Sequence, residues 1–204
     1  MRIKNKKFIY LISPLKIEKT FYSHLEKVLS QKKVSFFQLR LKKKNLKKKL
    51  IIAKKIKKIC KKFNVKFLIN DDVFIAKKLN ADGCHLGQKD MNIIKARKLI
   101  GDKIIGITCH NSIKLAKSAI KGKASYIAFG AFYSTKTKAT KYKATTKILN
   151  KAKKLTKIPL VAIGGINNNN YKKLLLNNAN LLAISSYVWS NKKFKPLEAI
   201  ENLK

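Results

Sequence analysis

Short apolar runs recur along the whole chain, and each is only a few residues long. They are rich in β-branched and aromatic side chains and are bounded by Gly, Pro, Asn or a charge, a pattern that favours strand over helix. The eight runs are FIYLIS from Phe8, SFFQLRL from Ser35, KFLIN from Lys66, GCHLG from Gly83, IIGITC from Ile104, YIAFGAF from Tyr126, PLVAIGG from Pro159 and LLAISS from Leu181. The pattern therefore predicts eight short β-strands.

The lysine-rich segments between these runs carry apolar residues at three- and four-residue spacing, which is typical of amphipathic helices. One such helix is predicted around Leu50 to Phe63 and another around Ile113 to Ile120. Apolar strands that alternate with helices indicate a parallel sheet covered by helices. Eight such units predict an α/β fold with one domain over residues 1–204, a closed (β/α)8 TIM barrel. A doubly wound open sheet is the alternative, but it normally has fewer strands, and no G-x-G-x-x-G follows the first run.

The composition is that of a globular protein with an unusual charge. Of the 204 residues 46% are hydrophobic, enough for a substantial core, and the formal net charge is +40. Such a charge first suggests nucleic acid, whose phosphates attract basic surfaces. However, all the basic residues except Arg2, Arg40 and Arg97 are Lys, whereas nucleic-acid sites favour the planar fork of Arg. We therefore expect solvated lysine-rich faces and no specific nucleic-acid partner.

Cysteine usage and the lengths of the apolar runs bear on the compartment. Cys60, Cys84 and Cys109 are widely separated and form no C-x-x-C pair, which fits a reducing compartment better than a disulfide framework or a zinc site. The apolar run Phe8 to Ile12 is too short for a signal-peptide core, and no run approaches the roughly 20 apolar residues of a membrane span. We expect a cytoplasmic protein without a membrane partner. The sequence does not indicate an oligomeric state.

In a barrel of this kind, functional groups lie at the carboxyl ends of the strands and in the loops that follow. Gln38, Arg40 and Lys42 alternate along the second run, so a strand would carry all three on one face. Leu39 and Leu41 would then face the helices. An Arg and a Lys at one strand end predict a site for a polyanion, with Arg offering a bidentate contact.

Four of the nine acidic residues lie in one short window. Asn70 and Asp71 end the third run, and Asp90 lies just past the fourth. Loops from neighbouring strands can bring two carboxylates to one ion, and hard oxygen ligands suit Mg²⁺ shared with a substrate phosphate. Alternatively, either Asp71 or Asp72 is a helix N-cap. Asp82 precedes a strand and is interpreted as a turn residue.

The loops after the last three runs predict a second phosphate site. Ser134–Lys138 combines hydroxyls and amines, Gly164–Gly165 follows the seventh run, and Ile184–Ser186 ends the eighth. The loops after strands 7 and 8 are the common phosphate site of such barrels, where Gly lets backbone N–H groups approach the anion. The run Asn167–Asn170 is predicted to be a loop and helix start, with Asn as the capping residue.

Several sequence blocks resemble the thiamine phosphate synthase family, and they occur in the family's order. Together they cover most of the chain, from Gln38 to about Trp189. The blocks are Q-L-R-x-K from Gln38, I-N-D from Ile69, A-D-G-C-H-L-G-Q-x-D from Ala81, I-I-G-I-T-C-H from Ile104, Y-I-A-F-G-A-F-x-x-T-x-T-K from Tyr126, V-A-I-G-G-I-N from Val161 and L-A-I-S from Leu182.

The resemblance implies a transferase of thiamine biosynthesis that uses Mg²⁺. Such an enzyme joins 4-amino-2-methyl-5-hydroxymethylpyrimidine diphosphate to a thiazole phosphate, giving thiamine phosphate and pyrophosphate. The implied mechanism is a dissociative displacement, in which pyrophosphate departs and leaves a pyrimidine-stabilised cation that the thiazole nitrogen attacks. Catalysis would then rest on neutralising the leaving group and aligning the nucleophile.

The resemblance also implies roles for individual residues. The pyrimidine diphosphate would be bound by Gln38, Leu39, Arg40, Leu41, Lys42, Asn70, Thr108 and Lys138. Of these, the catalytic set would be Arg40, Lys42, Thr108 and Lys138. The thiazole phosphate would be bound by Thr135, Lys136, Thr137, Gly165, Ile184 and Ser185. The metal ligands would be Asp71 and Asp90.

Three alternatives remain at this point. A thiazole tautomerase on the same fold would use His110 for proton transfer, although it is not expected to keep the I-N-D and G-Q-x-D carboxylates or the loop Lys. Another phosphate-sugar barrel enzyme would need an acid/base pair at the barrel mouth, and the sequence offers none. The third alternative is a basic nucleic-acid-binding protein. One departure from the family pattern is Asp72, which stands where many relatives have Arg.

Overall fold

The computed structural model describes residues 7–41, 45–135 and 141–204, and it has a closed barrel of eight parallel strands. The strands follow one another around the barrel in chain order, and the first pairs with both the second and the eighth. The strands are β1 (Ile9–Ile12), β2 (Val34–Leu39), β3 (Lys66–Asn70), β4 (Gly83–Leu86), β5 (Ile104–His110), β6 (Tyr126–Gly130), β7 (Leu160–Ile163) and β8 (Leu181–Ile184). The predicted strands and the predicted closed α/β barrel are confirmed.

Helices lie between the strands and form an outer layer. Their bounds are α1 (Phe21–Ser30), α2 (Leu46–Lys62), α3 (Val73–Lys78), α4 (Ile93–Ile100), α5 (Ile113–Lys121), α6 (Thr146–Leu155), α7 (Tyr171–Leu176), α8 (Ser186–Trp189) and α9 (Pro196–Glu201). Helix α2 shows the common pattern, because Ala53, Ile56 and Cys60 are buried while its many lysines face outward. Among the described residues, no helix has both the length and the apolar character needed to cross a bilayer.

The alternation of side chains along the strands separates two cores. Phe37 and Leu39 of β2 point outward and join the large core between barrel and helices. Tyr10, Leu68 and Tyr126 point inward and join a smaller core inside the barrel. Side chains therefore fill the barrel interior below the carboxyl ends of the strands.

The register of the strands brings their polar carboxyl ends to one rim. Asn70 pairs with His85 across β3 and β4, and Thr108 pairs with Ala128 across β5 and β6. Beyond the ends of β1 and β2, Ser13 N donates to the Gln38 carbonyl (2.9 Å) and Arg40 N donates to Ser13 Oγ (2.9 Å). These two bonds extend the pairing into the loops and fix the backbone that carries Arg40.

Candidate active site

A cavity of about 730 Å³ opens at the carboxyl ends of the strands, and every strand or its following loop contributes to its lining. It collects most of the residues that the sequence singles out. From β2 to β5 these are Gln38, Arg40, Asn70, Asp71, Asp90 and Thr108. From the loops after β6 to β8 they are Thr135, Gly165, Ile184 and Ser185. The two predicted subsites therefore face one common space.

Some of the predicted site residues do not line this cavity with their side chains. Leu39 and Leu41 are buried in the core between barrel and helices, as the strand alternation predicts, so only their backbone could touch a ligand. The predicted contacts of Lys42 and of Lys136–Lys138, which includes Thr137, lie outside the described residues.

Gln38 and Arg40 enter the cavity from the end of β2. Gln38 is only 2% exposed, and its Nε2 donates to the Tyr10 hydroxyl over 2.5 Å. Burial lowers the pKa of the Arg40 guanidinium, and the neighbouring Asp71 carboxylate partly opposes that shift. An Arg stays protonated under all ordinary conditions, so Arg40 supplies a fixed positive charge beside Asp71.

The two neighbouring aspartates after β3 have different tasks. Asp71 has a left-handed backbone (φ 63°), and its N–H donates to the His85 carbonyl over 2.8 Å. Asp72 accepts from Ile75 N over 2.9 Å at the start of α3, so the predicted N-cap is confirmed for Asp72. Asp71, in contrast, lines the cavity.

Asp90 reaches the same cavity from the loop after β4. Its Oδ2 accepts from Gly87 N over 2.6 Å, which fixes the carboxylate within a tight turn. Within the described ranges, no three His, Cys, Asp or Glu side chains form a group that could hold a metal ion. Two carboxylates from adjacent strands suit a hard cation that takes its other ligands from water or a substrate phosphate.

A chain of hydrogen bonds inside the barrel supports Thr108, and sequence reasoning missed three of its members. His85 bonds through Nε2 to Thr108 Oγ1 and through Nδ1 to the Tyr126 hydroxyl, both over 2.8 Å. The hydroxyls of Tyr126 and Tyr10 lie 2.7 Å apart. Burial raises the pKa of both tyrosines well above its ordinary value, so both stay neutral.

The signal for these residues was present in the sequence. Tyr10 and Tyr126 stand in apolar runs, and a buried Tyr usually finds a hydrogen-bond partner for its hydroxyl. His85 stands in the middle of the run GCHLG, where its side chain must face either the helices or the barrel interior. A polar atom in such a run therefore indicates a buried network.

The loop after β7 packs closely against the loop after β6. Gly164 and Gly165 have positive φ (104° and 64°), and a Cβ on Gly164 would lie 2.4 Å from that of Ala131. Tyr133 N donates to the Gly164 carbonyl over 3.1 Å. The glycine pair therefore holds the segment that leads to Thr135 as well as lining the cavity.

Asn170 braces this glycine loop. The predicted loop and helix start over Asn167–Asn170 are confirmed, since α7 begins at Tyr171. The predicted capping role was wrong for Asn170, whose side chain makes no cap bond to α7. Instead its Nδ2 donates to the Gly165 carbonyl (3.0 Å) and its Oδ1 accepts from Asn167 N (2.9 Å). The cause is the positive-φ turn before the helix, which leaves a carbonyl within reach of the amide.

The end of β8 completes the rim next to β1. Ser185 Oγ donates to the Ser13 carbonyl over 3.3 Å, so β8 and β1 are tied together beyond their paired residues. Ser185, Ser186, Gly165 and Thr135 also line a more open groove of about 1000 Å³ that runs outward beside α1 and α8. This side of the cavity is therefore open to solvent.

Comparisons with known proteins agree with this geometry. Residues 9–188 match the model of the family described as thiamine monophosphate synthase. The chain is 68% identical to a thiamine-phosphate synthase of Pelagibacter ubique over 98% of the chain and 97% of that relative. It is 40% identical to a thiamine-phosphate synthase of Nitrosomonas eutropha over 77% of the chain and 74% of that relative.

A solved structure shows the same architecture. The thiamine phosphate pyrophosphorylase of Pyrococcus furiosus superposes with a TM-score of 0.85 at 27% identity, over 99% of this chain and 96% of that one. The family match, the 68% identity over nearly the whole chain and the shared barrel lead to one conclusion. The chain belongs to the thiamine monophosphate synthase family.

Proposed function

We propose that this chain is a thiamine-phosphate synthase with a single catalytic domain over residues 1–204. It would condense 4-amino-2-methyl-5-hydroxymethylpyrimidine diphosphate with a thiazole phosphate and release pyrophosphate. The observation that carries this proposal is the 68% identity, over nearly the whole chain, to a relative named for that activity. The cavity supports it, because residues suited to two phosphate groups line one space.

The diphosphate would lie against the ends of β2, β3 and β5. Arg40 offers a fixed charge and a planar fork for two phosphate oxygens, and Asn70 and Thr108 line the same part of the cavity. Lys42 and Lys138 would add charge from the adjacent loops. These groups would act by neutralising the charge that develops on the departing pyrophosphate.

Asp71 and Asp90 would hold Mg²⁺ at the edge of the diphosphate subsite. The bound ion would supply extra neutralisation of the leaving group, as hard cations do in other phosphate sites. The two carboxylates fit that task because they follow adjacent strands and line one cavity. Asp71 also lies close enough to Arg40 to raise the pKa of the guanidinium against the effect of burial, so cation and carboxylate share the subsite.

The thiazole phosphate would lie at the loops after β6, β7 and β8. Thr135, Gly165 and Ser185 line both the cavity and the outward groove, where an anionic substrate could enter. Gly164–Gly165 would present backbone N–H groups, and Lys136, Thr137 and Ile184 would complete the contacts. Between the subsites, small apolar side chains such as Ala128 and Ala183 would form a floor for the reacting rings.

The reaction would need alignment more than acid or base catalysis. Once pyrophosphate departs, the thiazole nitrogen attacks the cationic carbon, and holding both partners in one closed space favours this step. We also propose a cytoplasmic location. The three separate buried thiols, Cys60, Cys84 and Cys109, are compatible with it.

One assay tests the proposed function. The purified protein is incubated with both substrates and Mg²⁺, and thiamine phosphate and pyrophosphate are quantified together. We expect equal amounts of both products, and no pyrophosphate when the thiazole phosphate or Mg²⁺ is left out. Pyrophosphate release without thiamine phosphate would show a hydrolase instead and would contradict the proposal.

A further inference from the structure

We propose that Tyr10 and Tyr126 are positioning residues that give the buried hydrogen-bond chain one direction, so that Thr108 donates its hydroxyl proton into the cavity. The chain runs from Gln38 through Tyr10, Tyr126 and His85 to Thr108. The inference rests on the proposed role of Thr108 at the diphosphate. It goes beyond that role, because neither tyrosine is among the residues assigned to substrate or metal.

The direction of the hydrogen-bond chain is set at Gln38, where it starts. Gln38 Nε2 can only donate, and it donates to the Tyr10 hydroxyl oxygen over 2.5 Å. The proton of Tyr10 then has the Tyr126 oxygen as its acceptor, 2.7 Å away. Both tyrosines are 1% exposed, and a hydroxyl proton without an acceptor is costly in such a place. Tyr10 therefore donates to Tyr126.

The direction then continues through the imidazole. Because Tyr126 accepts from Tyr10, its own proton goes to His85 Nδ1 over 2.8 Å. A neutral imidazole that accepts at Nδ1 carries its proton on Nε2. Nε2–H donates to Thr108 Oγ1 over 2.8 Å, and the Thr108 proton is then directed at an acceptor in the cavity that its side chain lines.

The opposite direction is disfavoured at both ends of the chain. With the direction reversed, Tyr10 would accept from both Gln38 and Tyr126, and its own hydroxyl proton would have no acceptor in a buried site. Thr108 would donate to His85 and would present only lone pairs to the cavity. A phosphate oxygen needs donors, so that arrangement would repel the proposed ligand.

The packing of the rings holds the hydroxyls at these positions. A Cβ on Gly106 of β5 would lie 1.8 Å from Cζ of Tyr126, so the missing side chain makes room for that ring. The Tyr126 ring stacks on His85 (centroids 5.6 Å apart, planes at 15°) and meets Tyr10 edge-on (5.6 Å, 89°). The rings therefore leave each hydroxyl little freedom to change partner.

The tautomer of His85 reports the direction of the hydrogen-bond chain, and it can be measured without an assay of activity. The protein has three histidines. The imidazole signals of His24 and His110 can be assigned with the variants His24→Gln and His110→Asn. Long-range ¹H–¹⁵N spectra of the full-length protein are recorded at about pH 8, where an ordinary imidazole is neutral. We expect the His85 proton on Nε2, and a mixture of both tautomers in Tyr126→Phe. A proton on Nδ1, or an unchanged tautomer in Tyr126→Phe, would overturn the proposal.

A melting temperature and one further variant protect this measurement against a failure to fold. Tyr126→Phe keeps the ring that fills the space above Gly106, so its melting temperature should stay close to that of the original protein. Should it fail to fold, Tyr10→Phe interrupts the hydrogen-bond chain one bond closer to Gln38. The same loss of a single His85 tautomer is expected there, and an unchanged tautomer would again overturn the proposal.

Steady-state kinetics test the consequence for the reaction. Tyr126→Phe should lower kcat about 10- to 100-fold, as outer partners that orient a functional group do, with little change in KM for the thiazole phosphate. The matched control is Tyr171→Phe, since Tyr171 is equally buried and its hydroxyl donates to the Lys204 carbonyl, away from the buried hydrogen-bond chain. It should keep the original kcat.

A double-mutant cycle links the tyrosine to Thr108. In a Thr108→Val background, Tyr126→Phe should have little further effect, because the hydroxyl that it orients is gone. If the two losses multiply, the coupling is overturned. Failure of the proposed function looks different: the original protein would then form no thiamine phosphate, while His85 still carries its proton on Nε2.

Discussion

His110 stacks on Tyr142, with ring centroids 4.0 Å apart and planes 19° apart. Tyr142 and Ala144 are bonded to Ala131, the residue that follows β6, since Ala131 N donates to the Tyr142 carbonyl (3.1 Å) and Ala144 N donates to the Ala131 carbonyl (2.8 Å). Both rings line the cavity. His110 therefore supports the chain that returns from the loop after β6.

This contact leads to a prediction for His110→Ala. We expect most of the synthase activity to remain, because the proposed ionisation needs no protein base on the thiazole nitrogen. The small loss should come from the missing stack, so His110→Phe should recover it. Rates and melting temperatures of both variants check this. If both variants fold but lose all activity, His110 takes part in proton transfer and the proposed mechanism is incomplete.

The two carboxylates are predicted to act as one metal site. Asp71→Asn or Asp90→Asn should lower the rate about 10²- to 10³-fold, because each removes a negative ligand that helps neutralise the leaving group. The double variant should cost clearly less than the product of the single losses, since both residues serve one ion. The measurement is a steady-state Mg²⁺ titration of each variant.

Asp82→Asn is the matched control for these variants. Asp82 bonds Phe67 N at the opposite end of the strands and pairs with the exposed Lys66, so its charge contributes little. It should keep a nearly normal rate and metal dependence. Normal rates and metal dependence in Asp71→Asn and Asp90→Asn would contradict the shared site.

The brace at Asn170 is predicted to serve the thiazole phosphate. Asn170→Asp removes the donor to the Gly165 carbonyl and adds a negative charge beside the proposed phosphate subsite. KM for the thiazole phosphate should rise about tenfold, the scale of one lost hydrogen bond, while pyrimidine diphosphate binding should change little. Asn169→Asp adds the same charge at an exposed neighbour and should be nearly silent. Equal KM values in the two variants would count against the brace.

Alkaline stability should depend on the buried thiols. Burial raises the pKa of Cys84 from 9.0 to about 12. The unfolded thiol thus ionises first, so the stability from this group is complete below pH 9 and is lost as the pH rises towards 12. Urea unfolding should show the original protein losing about 1.4 kcal/mol per pH unit more than Cys84→Ala in this window. If the unfolding free energies of the two proteins fell in parallel with pH, the raised pKa of Cys84 would be contradicted.

Nucleic-acid binding is predicted to be non-specific. The basic charge is almost entirely Lys, and it is spread over the chain instead of forming an Arg-rich face. Affinity for a random duplex should therefore fall steeply with salt and should not depend on base sequence. Fluorescence anisotropy with several duplexes across a salt series measures both properties. Tight, sequence-selective binding at physiological salt would overturn the prediction.

The sequence predicted the strands and their carboxyl-end residues because two simple periodicities control them. Alternation along β2 was enough to place Gln38 and Arg40 on the cavity side and Leu39 on the helix side. Which of two adjacent acids would cap α3 was not predictable, because that depends on the left-handed backbone of Asp71. Contacts within a loop, such as that of Asn170 with Gly165 across a turn, also depend on loop geometry that periodicity does not describe.

The inward-facing tyrosines show a second limit of prediction from the sequence. Tyr10 and Tyr126 are far apart in the sequence, and their hydroxyls meet only because the barrel closes. Each one alone resembles an ordinary core residue. The pairing becomes visible when β1, β4, β5 and β6 are assembled around one axis.

The space shared by Gly106 and Tyr126 has a consequence for how this barrel can diverge. A side chain at position 106 would overlap the tyrosine ring, so β5 carries no side chain where β6 carries a large one. A descendant that acquired a larger residue at 106 would have to shorten residue 126 in the same lineage. Residues 106 and 126 are therefore expected to change together, and the interior sides of β5 and β6 diverge as a pair.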